Sequence, residues 1–175
     1  MKTKDNVLVN RVANSKLKTI NLEKLYPDED IEDFDLKPFL FQGLVLREKD
    51  FRAALKEIDW SIYQDKIVVI YCSTDAIIPT WAFMLVTTYF TPYASRVFMG
   101  RKEEFVEAYF REILAALDVS IYEDQLIVIK GCSDKTVPIS AYVDLTARLV
   151  PVARSVMFGE ACSTVPIYKK SKTRL

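Results

Sequence analysis

Histidine is absent from the chain, which has 175 residues, and only three cysteines and four glycines occur in it. Without histidine there is no Ser-His or Cys-His nucleophile pair, no imidazole metal ligand and no histidine pH switch. No other catalytic motif is recognisable, so the sequence favours a protein that is not an enzyme. Three cysteines cannot all pair within one chain, and in a reducing compartment they are expected to be thiols or metal ligands.

Net charge is also absent, because 24 basic residues balance 24 acidic ones. No overall field would attract phosphate backbones, so we expect no nucleic-acid partner. The first residues, MKTKDNVLVNRVANSK, contain no apolar run of signal-peptide length, which predicts a cytoplasmic location. Residues 76–95 are uncharged, but their copy in the repeat described next contains Asp144 and Arg148. We therefore expect no membrane span.

The chain contains an internal repeat. Residues 51–100 align without a gap on residues 110–159, and Ser-Ile-Tyr, Val-Ile and the closing Gly recur at matching positions. Apolar spacing predicts the order helix, strand, helix, strand in each copy. The fold class expected is α/β or α+β, as one domain over residues 1–175 that is built by internal duplication around a mixed central sheet with packed helices.

Individual elements follow from the same patterns. The predicted elements are helices at Lys49–Ile58, 80–90, Glu103–Leu117 and 139–149, with strands at Leu17–Ile20, Ile67–Ile70, Arg96–Met99, Leu126–Ile129 and Ser155–Phe158. A further short strand is possible at Val7–Val9. The acidic residues 25–35 are expected to form a solvated loop, and the basic tail 169–175 is expected to be disordered.

Each cysteine is followed by serine, in loops that come after predicted strands. Thiolates prefer zinc or iron–sulfur clusters, and aspartates at equivalent repeat positions offer oxygen ligands. The candidate metal ligands are Cys72, Cys132, Cys162, Asp75 and Asp134. A weaker hypothesis is a small-anion site at the helix starts, formed by Ser73, Thr74 and Ser133.

Simpler interpretations of these residues stay open. Cysteine is among the most often buried residues and can act as a small hydrophobe. Asp75 could cap the helix that follows it. The aromatic residues Trp81, Phe83, Tyr89 and Phe90 are expected in the core or at a subunit interface.

Several strings are similar to a known family: NRVANSKL, LREKDFR, CSTDAIIPTWA, KGCSDKTVP and GEACSTVPIYKK. Over nearly the whole chain they resemble a family of small proteins of unknown function from Bacteroidetes. The resemblance implies a cytoplasmic bacterial protein of single-domain size and brings no catalytic residue. It also associates the chain with gene neighbourhoods for Suf-type iron–sulfur cluster assembly.

Three functional hypotheses follow. The leading one is a non-enzymatic accessory or carrier in iron–sulfur or metal metabolism, which holds zinc or a cluster through the Cys-Ser loops and works with iron–sulfur assembly proteins. The alternative is a structural or interaction module that forms a homodimer through the helix at residues 80–90, with merely buried cysteines. A small-anion-binding enzyme is the third.

Overall fold

A computed structural model describes residues 17–131, 135–160 and 163–171. Its four α-helices are α1 (Glu48–Lys56), α2 (Thr80–Phe90), α3 (Lys102–Ala116) and α4 (Ile139–Leu149). The strands of the described residues are β1 (Leu17–Asn21), β2 (Ile31–Asp35), β3 (Leu40–Phe41), β4 (Val45–Leu46), β5 (Ile67–Tyr71), β6 (Arg96–Met99), β7 (Leu126–Lys130), β8 (Ser155–Glu160) and β9 (Ser163–Lys169). The mixed α/β class predicted from the sequence is confirmed.

The chain divides into two compact units. A central unit spans Pro27–Tyr109, and a terminal unit combines Met1–Tyr26 with Phe110–Leu175. The first sequence repeat lies in the central unit and the second in the terminal unit. Descent of the two copies from one duplicated unit stays an interpretation of the sequence.

Each unit has its own sheet. The central unit has the strand order β2-β5-β6, all parallel, and the terminal unit has the order β1-β7-β8-β9, with β9 antiparallel to β8. The short strands β3 and β4 form a separate hairpin. Instead of the single central sheet that we expected, the described strands thus form two main sheets, because β1 and β2 each complete the sheet of a different unit.

The acidic segment was predicted incorrectly. Residues 31–35 form β2 and not a loop, because they pair in parallel with the buried strand β5 and turn Phe34 into the core. Glu32 of this strand forms an ion pair with Lys66 at 3.0 Å. The strand predicted at Leu17–Ile20 is present as β1, whereas that at Val7–Val9 lies outside the described residues.

Strand β9 has no counterpart among the elements predicted from the sequence. It includes Lys169, the first residue of the tail that was expected to be disordered. Residues 172–175 of that tail lie outside the described residues.

The core follows the helix period in both units. Phe51, Leu55 and Phe90 of the central unit are fully buried, as are Phe110 and Leu149 in matching positions of the terminal unit. Spacings of three and four residues place such side chains on one helix face, so each helix buries one apolar stripe against a sheet. In the described part of the chain, no helix combines the length and hydropathy that crossing a bilayer requires.

The recurring string Asp-x-Ser-Ile-Tyr-x-Asp has a structural role. Asp59 accepts hydrogen bonds from the N–H (3.0 Å) and the hydroxyl (2.6 Å) of Ser61, and Asp118 accepts one from the N–H of Ser120 at 2.9 Å. A short 3-10 helix follows in each unit, capped by Asp59 in the first and beginning after Val119 in the second, and hydrogen bonding from the serine lowers the pKa of both carboxyl groups. The motif therefore builds turns, as expected of Asp before a helical turn.

Candidate functional site

Ser73 and Thr74, two residues of the predicted anion site, lie at the carboxyl end of the central sheet. Asp35, at the end of β2, accepts hydrogen bonds from the N–H groups of Ser73 and Lys37, both at 2.9 Å. Burial alone would raise the pKa of Asp35, but hydrogen bonds from Ser73 and Lys37 outweigh it and hold the pKa below its usual value. The Ser73 N–H that a bound anion would need already donates to this carboxylate. Anion binding by Ser73 and Thr74 stays a prediction.

Cys72 follows β5 directly and is a free, half-buried thiol that packs against the hydrophobic cluster of the central unit. Asp75 is exposed, and it does not cap α2, because the helix begins after Pro79 without a side-chain cap. The alternative role as a helix cap is therefore wrong for Asp75. Its equivalent in the second repeat, Asp134, lies outside the described residues.

The proposed three-thiol site stays a prediction. Cys132, Cys162 and Ser133 also lie outside the described residues, so no distance among the three thiols is known. Within residues 17–131, 135–160 and 163–171, no three His, Cys, Asp or Glu side chains lie close enough together to hold a metal ion.

A polar cavity of about 210 Å³ lies at the carboxyl end of the terminal sheet. Its lining residues are Asn21, Glu23, Lys130, Gly131, Phe158, Gly159 and Glu160. Lys130 Nζ and Glu160 Oε2 form an ion pair at 3.1 Å across it. Because the ammonium and the carboxylate neutralise each other, the cavity offers no unbalanced charge from this pair to a ligand.

A larger groove, of about 660 Å³, lies between α4 and the strands of the terminal sheet, and most of its lining is apolar. The helix contributes Ile139, Val143 and Ala147, and the strands contribute Phe158 and Ile167 among others. Ile139 is 82% exposed, Val143 61% and Ile167 53%. Solvated apolar side chains that lie side by side are typical of interaction surfaces.

Helix α4 carries two apolar stripes. Ala141, Leu145 and Leu149 are spaced four apart and face the core. Ile139 and Val143 begin a second stripe with the same spacing, on the exposed side of the helix that lines the groove. This second stripe is visible in the sequence, although none of its side chains is chemically reactive. We call Ile139, Val143, Ala147, Phe158 and Ile167 the α4 face.

The family model for proteins of unknown function DUF2480 matches residues 6–170. The chain belongs to the DUF2480 family. The resemblance to a family of proteins of unknown function is thereby confirmed, and the family description assigns no activity. No curated protein and no solved structure matches the chain.

The predicted interface helix of this DUF2480 chain is mainly a core element. Phe90 is fully buried, and Trp81, Phe83 and Tyr89 are partly buried against the same cluster. Among the larger apolar residues of α2, Met84 is the one most open to solvent, at 67%. In the matching helix α4, the residues aligned with Thr80, Met84 and Thr88 are Ile139, Val143 and Ala147. The DUF2480 chain is thus more apolar on the outer face of α4 than on that of α2.

Proposed function

We propose that this DUF2480 protein is a non-enzymatic interaction module that forms a homodimer through the α4 face. The observation that carries the proposal is the exposed apolar stripe of α4 beside its apolar groove. Leaving Ile139 and Val143 in water costs about 1–2 kcal/mol each relative to burial. A partner surface that covers both would recover that free energy.

A second copy suits this face because the surface is self-complementary. In an antiparallel pair of α4 helices around a twofold axis, Val143 lies at the centre and Ile139 of one copy lies over Ala147 of the other. The small alanine lets the backbones approach, and the groove beside it can receive the protruding isoleucine. The stripe carries no charge, so no like charges would be brought together. A twofold contact of this kind uses the same patch on both subunits.

The size of the surface is compatible with a dimer. A stable interface buries about 800 Å² on each partner. The helix stripe alone would not reach that area, but Phe158, Val165 and Ile167 continue the exposed apolar surface onto β8 and β9.

The test is Val143→Asp, measured by size-exclusion chromatography with light scattering. A carboxylate at the centre of the apolar contact should weaken association by more than about a hundredfold and halve the molar mass. Ile121→Asp is the matched control, since Ile121 lies in the same unit, is 64% exposed and is not part of the α4 face. A monomeric wild type, or an equal loss in both variants, would contradict the proposal. Circular dichroism checks that the variants are folded.

The metal hypothesis is a second proposal with its own support. In sequence, Cys132 follows Gly131 of the polar cavity directly, and Cys162 comes two residues after Glu160. In this proposal the protein is a cytoplasmic accessory or carrier that holds zinc or an iron–sulfur cluster through Cys72, Cys132 and Cys162 and works with iron–sulfur assembly proteins. Metal analysis and an absorption spectrum of protein purified without oxygen test it. Metal-free, colourless protein, with Cys→Ser variants that behave like wild type, would exclude it.

A further inference from the structure

The outer edge of β6 has no partner strand among the described residues, whereas the matching strand of the other unit does. Strand β8 is covered on that side by β9, and Ser155 and Val156 at its start are buried. In β6 the corresponding residues, Arg96 and Val97, are only half-buried. The two segments have nearly the same sequence, Val-Phe-Met-Gly from Val97 of β6 and Val-Met-Phe-Gly from Val156 of β8.

The other outer strands carry the features that prevent edge-to-edge pairing. Strand β2 has Glu32 and Asp33 at its centre, β9 has Pro166, and β1 has Lys18. Charged residues and proline are the usual protection of exposed strand edges. Strand β6 has no proline, and its one charge, Arg96, is at its start. It is therefore the least protected edge of the two main sheets in the described part of the chain.

The direction of the backbone groups defines how another strand can bind. The N–H of Gly100 donates to the carbonyl of Ile70 in β5, at 2.9 Å. Since backbone groups alternate in direction along a strand, those of Phe98 also point to β5, and those of Val97 and Met99 point outward. Two outward-pointing residues give each copy two donors and two acceptors.

We infer that β6 pairs with β6 of a second copy, antiparallel across a twofold axis, and joins two central sheets into one sheet of six strands. Pairing Val97 with Met99 of the other copy uses all the outward groups and forms four hydrogen bonds. The two Phe98 residues then face each other at the axis, an aromatic cross-strand pair of the favourable kind. Arg96 faces Gly100, so no like charges oppose each other. The same pairing of β2 would instead place Asp33 opposite Asp33.

This contact goes beyond the proposed function, because it lies in the central unit and uses none of the α4 face. Two different twofold contacts in one chain build a tetramer when the symmetry closes. Wild-type protein is therefore expected at the mass of a tetramer, with one pair of contacts at β6 and the other at α4.

The test combines Met99→Pro with amide hydrogen exchange. Proline removes one outward N–H without removing a bond to β5, so Met99→Pro should halve the molar mass measured by light scattering. Met99→Ala, which keeps the N–H, is the control and should leave the mass unchanged. In wild-type protein the amides of Val97 and Met99 should exchange at least about tenfold more slowly when the protein is associated than when it is diluted to the monomer, because no described strand of the same chain pairs with this side of β6 and a second copy would provide the acceptors.

The outcomes separate the two proposals. If Val143→Asp halves the mass and Met99→Pro leaves it unchanged, the β6 contact is wrong and the α4 contact stands. If only Met99→Pro halves the mass, the β6 contact stands and the α4 contact is wrong. A monomeric wild type overturns both. Rapid exchange of the Val97 and Met99 amides in the associated protein overturns the β6 contact on its own.

Discussion

Phe90, at the end of α2, is expected to contribute strongly to the stability of the central unit. It is fully buried and makes edge-to-face contacts with three rings. The ring centroids lie 5.0 Å from Phe34, 4.9 Å from Trp60 and 5.0 Å from Tyr63. Leu149 occupies the matching position of the terminal unit and is also fully buried, so Phe90→Leu introduces a side chain that this kind of site accepts.

The size of the effect follows from those contacts. Each edge-to-face pair contributes about 0.5–1.5 kcal/mol beyond the burial of its surface. Replacing the ring by leucine removes all three pairs and leaves a small cavity, which adds to the loss. We expect Phe90→Leu to lower the free energy of unfolding by about 3 kcal/mol.

Urea unfolding followed by tryptophan fluorescence measures this effect, because both tryptophans, Trp60 and Trp81, belong to the central unit. The matched control is Phe98→Leu. Phe98 is half-buried and, among the described rings, contacts Phe105 with centroids 5.5 Å apart, so a loss of about 1 kcal/mol is expected there. Equal losses in the two variants, or a loss below about 1 kcal/mol for Phe90→Leu, would refute the contribution of the aromatic cluster.

Three further predictions concern turns, helix ends and pH. Gly159→Ala should lower stability by at least about 2 kcal/mol in calorimetry, since φ is +121° and the new Cβ would lie 2.6 Å from a backbone oxygen; Gly43→Ala, in open space, should cost only about 1 kcal/mol. The guanidinium of Arg148 donates to two carbonyls at the end of α3, so Arg148→Met should lower the free energy of unfolding measured in urea by about 2 kcal/mol. A smaller loss for Arg148→Met than for Arg148→Lys would contradict this role. The pKa of Asp35 is lowered from 3.8, so the stability that its carboxylate contributes is present above pH 3.8 and is lost as the pH falls through the pKa of the folded protein. The difference in urea midpoint between wild type and Asp35→Asn should therefore be constant above about pH 5 and shrink below pH 3.8.

The sequence predicts the helices and the buried strands well, because their apolar spacing is strong. Strands β5 and β7 are unbroken β-branched runs, and α4 ends at Leu149, two residues before a proline. Edge strands are different. In β2 only Phe34 is buried, and no residue of β9 is buried, so the extended form of both strands depends on pairing with a neighbouring strand. Charge and proline in these segments, which protect an edge, look like loop signals in the sequence.

The candidate site shows a similar division. The position of Cys72 at the end of a strand could be predicted from the run before it, but whether distant thiols converge depends on loop conformations that local patterns do not specify. Asp75 is close to α2 in sequence, which suggests a helix cap, but residues 76–79 separate it from the first turn of the helix. By contrast, the α4 face could have been predicted by counting apolar residues on both faces of the helix.

Comparison of the two repeats separates structural residues from candidates for function. Positions that keep both identity and geometry, such as Asp59 and Asp118, build the same turn in each unit and need no other explanation. A binding surface should instead appear where equivalent positions differ. The outer stripe of α4 is apolar where that of α2 contains threonine, and β9 covers β8 while β6 has no such strand among the described residues. Each difference gives one unit a surface that the other lacks, so the two proposed contacts lie in different units and can be removed one at a time.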